Sequence, residues 1–297
     1  DRLQPVMQEA YRLAYIRKPE FMGNTRTEEK DPKFKVISDL PWCEQEINER
    51  LAAYRQLSDK VEQEWHALPA QKKETYFQLV KYPVQAAAQM NNKLLTAQLA
   101  RHGKADWADS DRAYDSIVSL TKTYNTTKWN RMMDFQPRRL LVFNRVERKA
   151  LSSGLLEKPQ AVYTWNGADC VEGASVICEG LGYEGKAVAV EKKKELTFEF
   201  AAWETDSVEV EVRLLPNHPV EGERLRFTIS LDGSATEAVS YETKGRSEEW
   251  KENVLCNQAV RRMILPVARK ASHRLIFTAL DEGVVLDQIY LYTPRIK

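Results

Sequence analysis

The sequence predicts an α+β chain of two domains, a bundle of about five helices over 1–155 followed by an antiparallel β-sandwich over 156–297. Three observations predict it. Of the 12 glycines only Gly23 and Gly103 precede position 150, so tight turns gather in the second half. Apolar residues recur at helical spacing in the first half and at every second position after about 160. Those are the periods of a helix buried along one stripe and of a strand buried on one face.

The first helix is carried by Leu3, Met7, Ala10 and Ala14. The second uses Ile47, Leu51, Tyr54, Val61 and Trp65, with Lys and Glu between them. Asp39 ahead of Leu40-Pro41 supplies its cap and first-turn proline, and Leu68-Pro69 ends it. The third, from about Gln71 to Arg101, places Tyr76, Val80, Val84, Ala87, Met90 and Leu94 on one stripe. It contains Pro83, which removes a backbone donor and is expected to kink or split it. His102-Gly103 stops it. A fourth starts near Asp106 and uses Trp107, Tyr114, Ile117, Leu120 and Tyr124, and a short helical piece from Lys128 to Asp134 follows. Gly23 to Ser38 is polar, holds Asp31-Pro32 and reads as a long surface loop. The domain boundary is expected between Ser152-Ser153-Gly154 and Pro159.

In the second half Val208, Val210, Val212 and Leu214 alternate with Glu209, Glu211 and Arg213, and Leu225, Phe227, Ile229 and Leu231 alternate with polar residues. One face is expected to be buried and the other wet. Further strands fit Glu195 to Phe200, Arg261 to Val267, Arg274 to Ala279 and Val284 to Tyr292, with turns at Asp232-Gly233 and Asp281-Glu282-Gly283. Without helices between them, such strands form an antiparallel sandwich.

The 297 residues are 43% hydrophobic, enough for a core in each domain, and 44 Lys+Arg against 43 Asp+Glu leave a net charge of +1. Nucleic acid and anionic membrane surfaces are therefore not expected partners. No apolar run approaches the ~20 residues of a membrane span. The chain opens on Asp1-Arg2-Leu3 rather than Met and reads as a fragment. Cys43, Cys170, Cys178 and Cys256 match no metal-ligand spacing and read as core residues, with a local Cys170–Cys178 bridge left open. No phosphate-cradling loop, HExxH or GxSxG is present, and no metal or cofactor is expected. Among four histidines, His66 and His102 sit at helix ends, His218 lies in a turn and His273 opens a strand, so no Ser/His/Asp grouping can be argued. Trp42, Trp65 and Trp107 belong to the helical pattern. Trp165, Trp203 and Trp250 fall at strand ends or loops of the sandwich and are the candidate carbohydrate contacts, because indoles stack on apolar sugar faces.

Several blocks resemble a known family. YFQLVKYPVQAAAQMNN (Tyr76 to Asn92), KWNRMMD (Lys128 to Asp134) and KPEF (Lys18 to Phe21) are similar, in order and spacing, to the region following the catalytic barrel in glycoside hydrolase family 115, the xylan α-glucuronidases. GLGYEGKAV (Gly180 to Val188), SLDG (Ser230 to Gly233), WKENVL (Trp250 to Leu255) and HRLIFTALDEGVVLDQI (His273 to Ile289) resemble that family's C-terminal β-sandwich. The resemblance implies a secreted or periplasmic parent enzyme that removes glucuronic acid or its 4-O-methyl ether from xylan with inversion. Its acids would sit on an upstream (β/α) barrel, so no catalytic residue is assigned in this chain. It also implies a homodimer through the helical region, and contact with plant cell-wall polysaccharide. Lys128, Trp129 and Asn130 are the candidates for seating the barrel. Where the family reads Gly-Gly-Lys-Trp-Asn-His-Met-Met, this chain has Thr126 and Thr127 before Lys128 and Arg131 for the histidine, and Phe135 to Val146 depart further, as in a divergent branch. The alternative reading is an autonomous carbohydrate-binding sandwich with a helical interaction domain.

Overall fold

The computed structural model describes residues 2–26, 29–150, 154–173, 176–245 and 247–294. They form two compact units, 1–158 and 159–297; Ser152 and Ser153 of the expected boundary lie outside the described residues. The first unit holds five α-helices: α1 (Leu3–Ile16), α2 (Glu44–Ala67), α3 (Ala70–Tyr76), α4 (Tyr82–Arg101) and α5 (Trp107–Asn125).

Pro83 splits the expected third helix as its chemistry requires. It has no N–H for the carbonyl of Leu79, and a π-helical turn over Phe77–Lys81 joins α3 to α4, with Tyr82 N–H reaching back to Phe77 O. The start of α2 differs from expectation. Cys43 is its cap, its N–H bonded by Glu46 Oε2 at 2.8 Å. Asp39, expected there, instead accepts from Arg101 Nε at 2.6 Å and pairs with His102 Nε2 at 2.6 Å, bringing the approach to α2 onto the end of α4. Gln98 fixes the same approach by bonding both backbone groups of Leu40 (3.0 and 2.9 Å).

The expected surface loop 23–38 is buried at its start. Met22 is fully buried, and Gly23 (φ +71°) lies against Ile37 and Leu94. The expected helix over 128–134 is absent. This segment is a turn, closed by Asn125, which donates to Met133 O (2.8 Å) and accepts from Met133 N–H (3.1 Å). A short polar side chain that can bond both ends of a loop replaces the helical ladder.

The second unit is a sandwich of two antiparallel sheets. Its strands are β1 (Tyr163–Asn166), β2 (Val176–Glu179), β3 (Lys186–Val190), β4 (Glu195–Ala201), β5 (Ser207–Leu214), β6 (Leu225–Leu231), β7 (Ser234–Ala235), β8 (Val239–Tyr241), β9 (Ala259–Pro266), β10 (Ser272–Ala279) and β11 (Val284–Tyr292). One sheet runs β2-β3-β11-β5-β9, with β1 also on β11; the other runs β4-β10-β6-β7, with β8 also on β6. Val208, Val210, Val212 and Leu214 of β5 and Leu225, Phe227 and Ile229 of β6 are fully buried between them. A bulge at Asp287 shifts the parity of β11, so Val284 and Leu286 before it and Ile289 and Leu291 after it all point into the core. One helix, α6 (Glu248–Cys256), interrupts the strands. Cys170 and Cys178 are not bridged, and none of the four cysteines takes part in a disulfide.

Candidate functional site

The three candidate tryptophans have three different fates. Trp203 is 8% exposed, meets Phe200 edge-on at 5.8 Å, and donates its Nε1–H to Thr205 Oγ1 and Ser207 O (both 2.9 Å). Its ring closes the sandwich core and offers no free face. Trp165 pairs with Ile289 across β1 and β11, stacks on Tyr163 at 5.5 Å and leans on Phe198, again on the core side. Trp250 is neither strand nor loop. It lies in the first turn of α6, where Ser247 Oγ accepts its backbone N–H at 3.1 Å. Its half-buried ring stacks against exposed His218, centroids 5.7 Å apart and planes 23° apart, and its indole N–H has no acceptor among the described residues. His218 Nδ1 lies 3.0 Å from Thr243 O, a group that only accepts, so that nitrogen carries the proton. Asn217 Nδ2 donates to Gly283 O at 2.6 Å. The connection at 217–218, the segment after β8 at 243 and α6 thus meet at one corner of the sandwich.

In the helical unit, Lys128 and Asn130 stand exposed on the 126–133 turn, while Trp129 is half-buried with the Lys128 ammonium 5.4 Å from its ring. The turn presents all three together.

The outer face of the six-stranded sheet overturns the expectation of a wet surface. Glu211 is 1% exposed and its carboxylate is held on both sides, by Arg213 Nε at 2.6 Å and by Arg262 Nε at 2.7 Å. Arg213 lies 3.8 Å from the centre of the Tyr290 ring and reaches Gln288 Oε1 (3.4 Å), which also accepts from Tyr290 OH (3.2 Å); Gln288 Nε2 donates to Asn166 (3.1 Å). Burial works most strongly against the Arg213 charge, but Glu211 with Tyr290 and Tyr292 together outweigh it and hold the guanidinium above its ordinary pKa. Burial also pushes Tyr292 up to about 12, with Glu211 adding to it. Alternation alone cannot reveal this network, since it writes Glu211 and Arg213 as solvent-facing; only the register of β5 against β9 and β11 brings the partners together.

Asp287, the bulge residue, is equally buried. It accepts the Tyr183 N–H on both oxygens (3.0 and 3.1 Å) and Gln258 Nε2 at 2.9 Å. Burial raises its pKa despite these donors. Its chemistry is that of a clamp on the GLGYEG loop: a Cβ at Gly182 (φ +89°) would collide with its carboxylate.

A shallow cleft of about 330 Å³ is lined by Glu221, Gly222, Glu223, Arg224, Arg226 and Asp281. Arg226 binds Asp281 through two bonds of 2.8 Å and holds its carboxyl below the usual range. Among the described residues no three His, Cys, Asp or Glu side chains are grouped to hold a metal, and no helix is long and apolar enough to cross a membrane.

Residues 174–297 match the glycosyl hydrolase family 115 C-terminal domain. Over 99% of its length the chain is similar, at 61% identity and a TM-score of 0.95, to a family GH115 4-O-methyl-α-glucuronidase, BtGH115A, with specificity for decorated arabinogalactans. The chain spans 39% of that protein. Over 46% of its length it aligns with all of the carbohydrate binding module CBM6cm-2 from Cellvibrio mixtus lichenase 5A, at 13% identity and a TM-score of 0.35. A family 35 carbohydrate binding module from an environmental isolate gives 11% and 0.36, with 46% of this chain and 99% of the module covered. No curated protein matches.

Proposed function

We propose, from the premise that this chain belongs to glycoside hydrolase family 115 as a C-terminal part, that it is the noncatalytic portion of an α-glucuronidase whose upstream barrel carries the reacting acids. The observation that carries this reading is the state of the buried carboxylates. Hydrolysis by paired acids needs two carboxyl groups facing each other across about 6.5–9.5 Å of open site for inversion. Here the two buried carboxylates among the described residues, Glu211 and Asp287, are each consumed by fixed donors, and neither is bonded to a second acid.

The parent's substrate in this proposal is a plant polysaccharide bearing glucuronic acid or its 4-O-methyl ether. The similarity to an enzyme with specificity for decorated arabinogalactans moves the expected backbone from xylan toward arabinogalactan. Support for the barrel by the Lys128–Asn130 turn, a homodimer, inversion and work outside the cytoplasm belong to the same proposal. The test compares the purified 297-residue chain with the parent chain carrying its upstream residues, on decorated arabinogalactan and on glucuronoxylan. The parent is expected to release the uronic acid, faster from arabinogalactan, and the 297-residue chain none. Release by the latter refutes the proposal.

Trp250 favours a second reading, a sandwich that itself contacts sugar, because it alone of the three candidates keeps its ring beside an exposed turn. Trp250→Ala is then expected to weaken retention of the chain in arabinogalactan gels several-fold, in line with the stacking worth of ~1 kcal/mol. Unchanged migration ends that reading.

A further inference from the structure

The connection between β5 and β6 crosses from one sheet to the other, and its start is fixed from three directions. Asn217 Nδ2 donates to Gly283 O at 2.6 Å, and His218 Nδ1 donates to Thr243 O at 3.0 Å. Val220 lies so close to Gly283 (φ +92°) that a Cβ there would stand 2.9 Å from Val220 Cγ2 and 3.3 Å from its backbone N. Residues 221–224 then leave this clamp and wall the cleft of about 330 Å³. The floor is tied as well. Arg226 and Asp281 share two bonds of 2.8 Å, and the Leu280 N–H donates to Arg226 O at 2.9 Å. A cleft whose sides are held before a ligand arrives loses little freedom in binding one.

The lining offers both halves of hydrogen-bonding chemistry. Glu221, Glu223 and Arg224 are exposed and make no side-chain hydrogen bond or ion pair among the described residues. Carboxylates only accept and a guanidinium only donates, so a ligand that uses all three must itself do both. A hydroxyl does. An ammonium would meet the acids and leave Arg224 without a partner, and a carboxylate would do the reverse. Three carboxylates against two guanidinium groups line the cleft, and Lys192, which adds to Arg226 in lowering the Asp281 pKa, only evens the count. No surplus of positive charge is present to draw in a uronate. The volume falls at the lower end of small-molecule sites, which begin at about 300 Å³, and so suits one sugar residue.

We propose that this cleft, walled by Glu221–Arg224 over the Arg226–Asp281 pair, is a subsite for a neutral sugar residue of the polysaccharide rather than for its uronic acid. The free carboxylates accept from the sugar hydroxyls, and Arg224 donates to their oxygens. The stacked His218–Trp250 pair belongs to the clamped start of the same connection. The proposal rests on the second reading above only for the premise that the sandwich contacts sugar. It uses different side chains, so separate variants let either one fail alone.

The experiment is affinity electrophoresis of the 297-residue chain in gels containing glucuronate-decorated arabinogalactan or the same polysaccharide with its carboxyl groups reduced to alcohols. The wild-type chain is expected to be retarded by both, and to the same extent at about 0.05 M and about 0.5 M salt, because hydrogen bonds to neutral hydroxyls are not screened as ion pairs are. The variant is E221A/E223A/R224A. Its three side chains are exposed and hold nothing else, so its melting temperature is expected to match wild type while its affinity falls at least about tenfold. The single R224A, expected to weaken retention at least about threefold, keeps the proposal testable should the triple variant melt lower. Retardation by the acidic glycan alone, retardation abolished by salt, or equal retardation of wild type and both variants overturns the proposal. Loss in W250A with no loss in either cleft variant overturns it while leaving the second reading standing, and no retardation of wild type by either glycan ends both.

Discussion

A lysine ammonium has three donors and a strong preference for water, yet Lys93 is fully buried in α4. Its Nζ donates to Val142 O and Asn144 O at 2.7 and 2.8 Å, with the Tyr114 ring 5.8 Å away, and so pins the segment after the Arg138–Arg139 turn to the central helix. Burial pushes its pKa down to about 7. The unfolded chain binds a proton at this group up to about pH 10.5, whereas the folded chain releases it above about pH 7. Stability of the helical unit therefore rises with pH across that window, by at most about 1.4 kcal/mol per pH unit from this group, and the full penalty is present below about pH 7. Lys93→Met keeps the length and removes the titration. It is expected to lose the slope, while leaving two carbonyls without a donor at a cost of about 1–3 kcal/mol. Denaturant unfolding followed by helical circular dichroism at about pH 7, 8 and 9 checks this; the same slope in both proteins rules Lys93 out as its source.

At the scale of elements, what could be read from the sequence was whatever a local period or a local turn decides. The alternation in β5 and β6 placed their cores correctly, because one-sided burial writes itself at every second position. Asp232-Gly233 forms the expected hairpin turn, both residues with positive φ (51° and 92°), and Asp232 also accepts from His273 Nδ1 at 2.8 Å. Pro83 announced its own break. What escaped depends on partners far away in the chain. Glu211 looked wet because Arg262 lies 51 positions along. Trp203 looked like a loop aromatic because Tyr163, far back in the chain, meets its ring only in the folded sandwich. The helix α6 is short, and its start rests on Ser247 with Glu248 and Glu249 in the first turn and its end on Asn257 in a left-handed cap. Those signals were present but lay inside a domain of strands. The 128–134 piece erred the other way, since Asn125 spends its amide on closing a turn that periodicity had assigned to a helix.

For the whole chain, the decisive property is where the cores close. One cluster, centred on Phe198, Phe227, Phe277 and Ile289, lies wholly within 159–297. Two others, around Leu94, Leu95 and Ile47 and around Leu13, Leu57 and Val61, lie wholly within 1–158. Apolar burial, the main favourable term in folding, is thus completed inside each unit. Residues 159–297 produced alone are expected to keep the two-sheet fold, and the intact chain to unfold in two steps rather than one. Because Lys93 belongs to the helical unit alone, only the step that loses helical dichroism should move upward between about pH 7 and about pH 9 through that group. The sandwich step, followed through its tryptophans, should carry none of that shift. A single coincident transition at every pH, or an unfolded 159–297 fragment, would show that the two cores depend on each other after all.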